Sequence, residues 1–103
     1  MPAQGNIGSK DLAAGNQELI CTMDEPGIVN ISVCNRTAIP AKISIAIGNG
    51  ANPTAKDYIQ FSMPLSAFMP LERTGRSLGA GWKVWVMSDI AGCSACAEAV
   101  PST

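Results

Sequence analysis

The four cysteines are the residues of this chain whose types and spacing could do chemistry. Cys93 and Cys96 are separated by two residues, the spacing found in zinc ribbons and in thioredoxin-like redox motifs. A zinc ribbon needs a second close pair, whereas Cys21 and Cys34 stand 13 positions apart. A thioredoxin-like motif needs a strand–helix–strand setting, and no helical pattern surrounds Cys93. We therefore predict no metal site and no redox centre.

The absence of histidine removes the commonest hydrolytic mechanisms. The chain has 103 residues, with 7 Lys and Arg, 8 Asp and Glu and no His, so its formal net charge is −1. Ser-His-Asp and Cys-His nucleophile arrangements require His, which is also the commonest general base. No second acid stands near Glu72 in the sequence to complete a carboxylate pair. We predict that the protein is not an enzyme and uses no cofactor; a small hydrolase or redox enzyme is the disfavoured alternative.

The composition describes a chain with little charge and many apolar residues. Hydrophobic residues make up 47% of the chain and charged residues 15%, against about 25% charged in an average protein. The near-neutral balance gives no basic face for the phosphates of nucleic acids. The apolar content argues against disorder. A surface with so few charges suits a protein that ends up covered by partners.

No segment indicates a membrane partner or a secretory route. No apolar run reaches the roughly 20 residues that a membrane-spanning helix needs. Residues 1–10 lack the charged region followed by an apolar region that defines a secretory signal. We therefore expect the protein to be made, and first folded, in a cytoplasm.

Alternation of apolar and polar residues with period two predicts several strands. The clearest apolar sets are Val29, Ile31 and Val33; Ile43, Ile45 and Ile47; and Trp82, Val84 and Val86. Ile59, Phe61 and Met63 form a further set that we expect to share one face. Pro64 and Pro70 bracket a segment that cannot sit in a central strand, because proline cannot donate to the ladder.

This pattern predicts an all-β chain, a single antiparallel β-sandwich or barrel-like domain with four to seven short strands. The domain is expected over residues 16–90. Residues 1–15, rich in Gly, Ala and Asn, are predicted to be an N-terminal arm. Residues 91–103 are predicted to be a Cys-containing C-terminal strand or tail, so that extended arms flank the domain at both ends.

Cys34 falls on the polar face of its predicted strand, in phase with Asn30 and Ser32. Free cysteine is normally among the most buried residues, so we expect this face to be covered, or Cys34 to be bonded. Cys93 and Cys96 differ by an odd number, so on a strand they point to opposite faces. Two alternatives stay open: four reduced thiols, or disulfides formed within or between chains outside the reducing cell. The candidate disulfide cysteines are Cys21, Cys34, Cys93 and Cys96.

A few large residues are candidates for contacts with partners. Trp82 and Trp85 differ by three positions, so we expect one in the core and the other at the surface as an interface anchor. Glu72 and Arg73 are expected to form a solvated or interface ion pair. The candidate contact residues are Trp82, Trp85, Tyr58, Arg36 and Arg73.

Four stretches of this sequence, in their order, resemble a known family. They are residues 29–36 with the Asn-Arg pair, 41–47, 57–61 with Asp-Tyr-Ile, and 71–86 with Leu-Glu-Arg-Thr-Gly. The family is that of small all-β structural proteins of tailed-bacteriophage virions, and the resemblance covers residues 17–90. Its members tend to finish on an apolar, aromatic-containing strand, whereas residues 93–103 here are small and Cys-bearing. The pairing of the last strand is therefore open.

The resemblance implies a virion structural protein that decorates or cements the capsid exterior, as a minor capsid or linking protein. Its implied partners are the major capsid protein or sister subunits, in a homo-oligomer for which a trimer is plausible. Disulfides to neighbouring subunits could lock the contact. The alternative is a tail-fibre, collar or baseplate module that recognises the host surface, with an outward Trp and Tyr58 contacting sugar.

Overall fold

The computed structural model describes residues 5–101, and of Pro101 only the backbone. These residues form eight strands and one short 3-10 helix, Ala55–Asp57. The strands are β1 (Gly5–Leu12), β2 (Gln17–Thr22), β3 (Gly27–Asn35), β4 (Ala41–Gly48), β5 (Tyr58–Leu65), β6 (Pro70–Leu78), β7 (Lys83–Ser88) and β8 (Cys93–Pro101). The all-β prediction is confirmed, with more strands than the four to seven expected.

The strands form two four-stranded sheets. Sheet A has the order β1-β8-β3-β6 and sheet B the order β2-β7-β4-β5, and neighbouring strands are antiparallel in both. Consecutive strands lie in different sheets, except for β4 and β5. This order is that of a jelly roll, an eight-stranded sandwich made of two Greek keys. The predicted antiparallel β-sandwich is therefore confirmed.

The core contains the residues that alternation identified. On β3, β4 and β7 the buried set is Val29, Ile31, Val33, Ile43, Ile45, Ile47, Val84 and Val86. Each such side chain contributes roughly 1.5–3 kcal/mol by leaving water. β8 adds only small side chains to the same cluster, namely Cys93, Ala95, Ala97 and Ala99. Small residues at these positions leave room for the larger side chains of the other strands, as close packing requires.

The N-terminal end differs from the predicted arm, whereas at the C-terminal end the strand alternative is the one formed. Residues 5–12 form β1, an edge strand of sheet A, and residues 93–101 form β8, which lies between β1 and β3. β8 is paired along its whole length with β3, so the last strand is a central one. Its alanines are poor strand formers, which is why the sequence left a strand and a tail as alternatives here. Residues 1–4 and 102–103 of the predicted arms lie outside the described residues.

The two prolines lie where the pairing rule requires them. Pro64 is in β5 and Pro70 begins β6, and both are edge strands. β5 is irregular, however, because its register against β4 shifts twice. As a result Gln60 is buried whereas Phe61 is 68% exposed. The prediction that Phe61 shares the face of Ile59 assumed a regular alternation that these bulges interrupt.

The sandwich closes at its β1–β2 side by a close approach of two backbones. A Cβ atom on Gly8 of β1 would overlap the carbonyl oxygen of Ile20 on β2. Only glycine allows this approach, which brings the edges of the two sheets together. The contact holds β1, and with it one border of the cysteine-bearing surface described below, against the rest of the domain.

Candidate functional site

The four cysteines are all free, and they divide into two classes. Cys21 and Cys93 are buried, Cys34 is exposed and Cys96 is half-buried. The within-chain disulfide alternative is thus not realised in this structure, while the between-chain alternative stays a prediction. Burial raises the pKa of Cys21 from 9.0 to about 11, against a smaller lowering by a backbone hydrogen bond with Val84. Its thiol is therefore protonated and unreactive at neutral pH.

Cys34 and Cys96 lie on the outer face of sheet A, on the neighbouring strands β3 and β8. Cys34 is opposite Ser94, and Cys96 is opposite Ser32. The tripeptides Ser32-Val33-Cys34 and Ser94-Ala95-Cys96 thus run in opposite directions side by side. Each cysteine faces the serine of the other tripeptide, and the two thiols occupy diagonal positions. The prediction that Cys34 points away from the core is confirmed by its exposure.

A shallow groove of about 500 Å³ crosses this outer face. Its lining comes from the four strands of sheet A: Ser9, Lys10, Asp11, Ser32, Val33, Cys34, Pro70, Glu72, Ser94, Ala95 and Cys96. Arg36 pairs with Asp11 at one border, and Lys10 lies 3.8 Å from Glu18. Within residues 5–101, no group of three or more His, Cys, Asp or Glu is placed to hold a metal ion.

A second surface lies at the end of the sandwich where the β3–β4 and β5–β6 connections meet. Ile39 is 62% exposed, Phe68 67% and Met69 50%, and we call these three residues the apolar tip. The two connections are held together by backbone hydrogen bonds, from Phe68 N to Thr37 O at 3.1 Å and from Asn35 N to Met69 O at 3.0 Å. Large apolar side chains that are exposed side by side are typical of a surface that contacts a partner.

Asn35, which is fully buried, organises the apolar tip from beneath. Its Nδ2 donates to the carbonyl oxygens of Ile39 at 2.8 Å, Leu65 at 3.3 Å and Ser66 at 3.3 Å. Its Oδ1 accepts from the backbone N of Thr37 at 3.0 Å and from the Thr37 hydroxyl at 2.7 Å. One side chain therefore satisfies polar groups of both connections, which fixes their relative position.

Phe68 adopts a backbone conformation that non-glycine residues rarely take, with φ at +59°. This left-handed conformation costs roughly 1–2 kcal/mol for a residue with a Cβ. Its side chain is exposed, so burial of the ring does not offset the cost. Such strain persists only where the surroundings impose it, and it concentrates at functional positions.

The predicted aromatic contact residues are less available than expected. Trp85 is only 4% exposed, and Trp82 is half-buried against the core, so neither offers a free indole face. The Tyr58 hydroxyl accepts a hydrogen bond from Gln17 Nε2. The Tyr58 ring also packs edge-on against Phe61, with centroids 5.2 Å apart. Phe61, which was not among the predicted contact residues, is 68% exposed.

The two predicted arginines are both engaged locally. Arg36 pairs with Asp11, and its backbone N donates to Gly92 O at 3.1 Å. Arg73 Nη1 donates at 3.1 Å to the backbone carbonyl of Glu72 rather than to its carboxylate. The expected Glu72–Arg73 ion pair is not formed, because adjacent residues on a strand point to opposite faces.

Sequence reasoning missed the apolar tip and the role of Asn35. A signal was present, since Phe68 and Met69 stand in the short connection between Pro64 and Pro70, where solvent-facing loops are usually polar. The repeated Ser-x-Cys at 32–34 and 94–96 was also visible. What the sequence did not contain was the register that sets the two tripeptides side by side.

No family model, curated protein or solved structure matches the chain. Among the described residues, no helix is long and apolar enough to cross a membrane. The likeness to phage virion proteins therefore rests on the sequence segments 29–36, 41–47, 57–61 and 71–86.

Proposed function

We propose that the protein is a structural component of a bacteriophage virion, bound to the capsid exterior as a minor capsid or linking protein. It acts by binding alone, without a catalytic step or a cofactor. Its partners are the major capsid protein or sister subunits, and it is made in the host cytoplasm before it joins the particle. The observation that carries this proposal is the exposed, rigidly held apolar tip.

The apolar tip has the properties of a preformed docking element. Its side chains are large and exposed, so covering them removes apolar surface from water. Asn35 fixes the loops beneath them, which lowers the entropy lost when a partner orders the contact. Phe68 combines a left-handed backbone conformation with an exposed ring, so burial within the chain does not offset its strain. A partner's pocket would give that ring a burial that the chain itself does not provide.

Two further features support the same reading. The jelly roll recurs in viral capsid domains, although it also occurs in lectins and cupins, so the fold alone does not decide among them. The 15% of charged residues leaves a surface that is easily desolvated by neighbours. A disulfide to a neighbouring subunit, if it forms, would use Cys34, since it is the exposed thiol among the described cysteines.

A sedimentation assay tests the proposal. Purified chain is added to virions of the encoding phage that lack it, and binding to heads and to tails is measured after separation. We expect wild-type chain on the heads, and loss of binding for the Phe68→Ala/Met69→Ala double variant. Phe61→Ala is the matched control, because Phe61 is equally exposed but lies on sheet B, away from the apolar tip. Equal binding by the double variant and by wild type would contradict the proposal.

A tail-fibre, collar or baseplate module that recognises the host surface is the second candidate. The exposed Phe61 ring beside Tyr58 favours it, because sugars stack on aromatic faces of this kind. Sedimentation with tails instead of heads would support this role. So would binding to purified host surface polysaccharide that is lost in Phe61→Ala and kept in Phe68→Ala/Met69→Ala.

A further inference from the structure

We propose that Cys34 and Cys96 together bind one soft monovalent metal ion, such as monovalent copper, on the outer face of sheet A. The site would consist of two thiolates from this chain and no third protein ligand. It revises our sequence-based expectation of no metal site, which considered only centres with four ligands. The inference does not rest on the role of the chain in a virion, and it concerns the reduced chain, in which no disulfide to a neighbouring subunit occupies Cys34.

The two thiols are reachable from solvent and share one groove. Cys34 is exposed, Cys96 is half-buried, and both line the groove that crosses sheet A. The nearest lining side chains are Ser32 and Ser94 across the β3–β8 pair, Pro70 opposite Cys34 and Ser9 opposite Cys96. These side chains are short, and the groove is open above the thiols. An ion could therefore reach both sulfur atoms without rearrangement of the sheet.

The register sets a separation that is too long for a disulfide. Cys34 faces Ser94, and Cys96 faces Ser32, so the cysteines are diagonal neighbours across an antiparallel pair. Diagonal neighbours have Cα atoms about 7–8 Å apart. A disulfide needs Cα atoms about 4.4–6.8 Å apart, most often about 5.5–6 Å. Direct bonding would therefore pull two central, fully paired strands together by roughly 2 Å.

The same separation suits a single bridging metal ion. A disulfide joins its sulfur atoms at about 2.05 Å. Two metal–sulfur bonds of about 2.3 Å in line would instead hold the sulfur atoms roughly 4.6 Å apart. The metal bridge thus holds the sulfur atoms about 2.5 Å farther apart than a disulfide does. This difference is of the same size as the roughly 2 Å by which the Cα separation of diagonal neighbours exceeds that of a disulfide. The diagonal thus favours an ion between the thiols over a bond between them.

The donor set selects the class of metal. Zinc and calcium sites take four or more ligands, and within residues 5–101 no cluster of three suitable side chains occurs. Thiolates prefer soft ions, and monovalent copper and silver accept two sulfur ligands in line. Binding converts two thiols and one monovalent cation into a dithiolate complex of charge −1, and the two protons pass to solvent. The groove offers no surplus of positive charge for this complex, because Lys10 is balanced by Glu72 in the lining and Arg36 is paired with Asp11.

Titration of the purified, fully reduced chain tests the inference. Monovalent copper is added without oxygen, in competition with a chromogenic copper chelator, and the loaded chain is weighed by native mass spectrometry. We expect one ion per chain in wild type and none in Cys34→Ser or in Cys96→Ser. Cys93→Ala is the matched control, because alanine already fills the other inward positions of β8 and the thiol there is buried. It should bind one ion, as wild type does.

Several outcomes would overturn the site. One is undiminished binding in Cys34→Ser or Cys96→Ser. Another is a complex of two chains with one ion, which would place the thiolates on different copies. A third is rapid oxidation of the apo chain to a Cys34–Cys96 disulfide, read as a loss of two hydrogens, because the diagonal would then be shorter than the register implies. The sedimentation assay above is unaffected by all three results, so the two proposals fail separately.

Discussion

The side-chain amide of Asn35 donates a 2.8 Å hydrogen bond to the carbonyl oxygen of Ile39, joining the end of β3 to the connection that follows it. The same amide donates to the carbonyl oxygens of Leu65, the last residue of β5, and of Ser66 in the connection that follows. These hydrogen bonds hold two loops that are far apart in sequence side by side at the end of the sandwich. The exposed apolar tip is a consequence of this buried polar residue.

Replacing Asn35 with Ala should lower the free energy of unfolding by about 3 kcal/mol, because several buried polar groups of the two connections lose their partner. Urea denaturation measures the change. Asn30→Ala is the control, since Asn30 is half-buried and accepts one hydrogen bond, from Gly75 N at 2.9 Å. The Asn30→Ala substitution should lower the free energy of unfolding by only about 1 kcal/mol. Equal losses in the two variants would show that Asn35 does not organise the loops.

Phe68→Asn should leave the chain as stable as wild type, or more stable by up to about 1 kcal/mol, because asparagine tolerates the left-handed conformation. The exposed ring contributes little to the folded chain, so little is lost with it. Particle binding should nevertheless fall, since the ring is the centre of the proposed contact. Thermal unfolding and the sedimentation assay measure the two effects on one sample. A destabilised Phe68→Asn chain would mean that the ring packs within the domain.

Gly8→Ala should destabilise the chain by about 2–3 kcal/mol or more, because the new methyl group meets backbone rather than a movable side chain. The strain should separate β1 from β2 and expose amides of β1 to hydrogen exchange. Gly79→Ala is the comparison, since its added Cβ would lie at an ordinary 3.5 Å from the Trp82 ring. In the Gly79→Ala variant, the free energy of unfolding and the hydrogen exchange of the β1 amides should change little. Rapid exchange in both variants would argue against a specific closure at Gly8.

Stability should fall as the pH rises between 9 and 11 because of Cys21. Burial raises the pKa of this thiol in the folded chain to about 11, while in the unfolded chain it ionises near 9.0. Between these values the unfolded state releases its proton first, so the free energy of unfolding drops by up to about 1.4 kcal/mol per pH unit. Below pH 9 the thiol is protonated in both states and the effect vanishes.

Urea unfolding over this pH range, compared with Cys21→Ala, measures that slope. The variant removes the titrating group and keeps the lysines and Tyr58, so the difference between the two slopes belongs to Cys21. An unchanged slope in Cys21→Ala would show that another group causes the loss.

The sequence predicted the interior of the fold better than its ends. The inward faces of β3, β4 and β7 followed from regular alternation of β-branched residues. For β8 the sequence left a strand and a tail as alternatives, because its inward residues are mostly alanines, whose burial depends on large residues from other strands. Phe61 was misplaced because a bulge is set by the fit between two strands, which one strand's pattern does not contain.

In the candidate surfaces, too, the features that follow from one strand's pattern were predicted and those that depend on pairing between strands were not. The exposure of Cys34 followed from its phase on β3, a local property. Its diagonal relation to Cys96 depends on a register between segments some 60 residues apart, which no local pattern specifies. The burial of Trp85 likewise comes from neighbours on other strands of sheet B. The face of a strand on which a residue lies can be predicted from the sequence, whereas its neighbours on other strands are known only from the folded structure.

The proposed role on the capsid exterior fixes how many copies of the chain a particle should carry. Quantitative mass spectrometry of purified virions of the encoding phage, with the major capsid protein as internal reference, measures that number. We expect many copies per particle, comparable in order with the major capsid protein. A handful of copies per particle would indicate the tail, and complete absence of the chain from purified virions would rule out the proposed role.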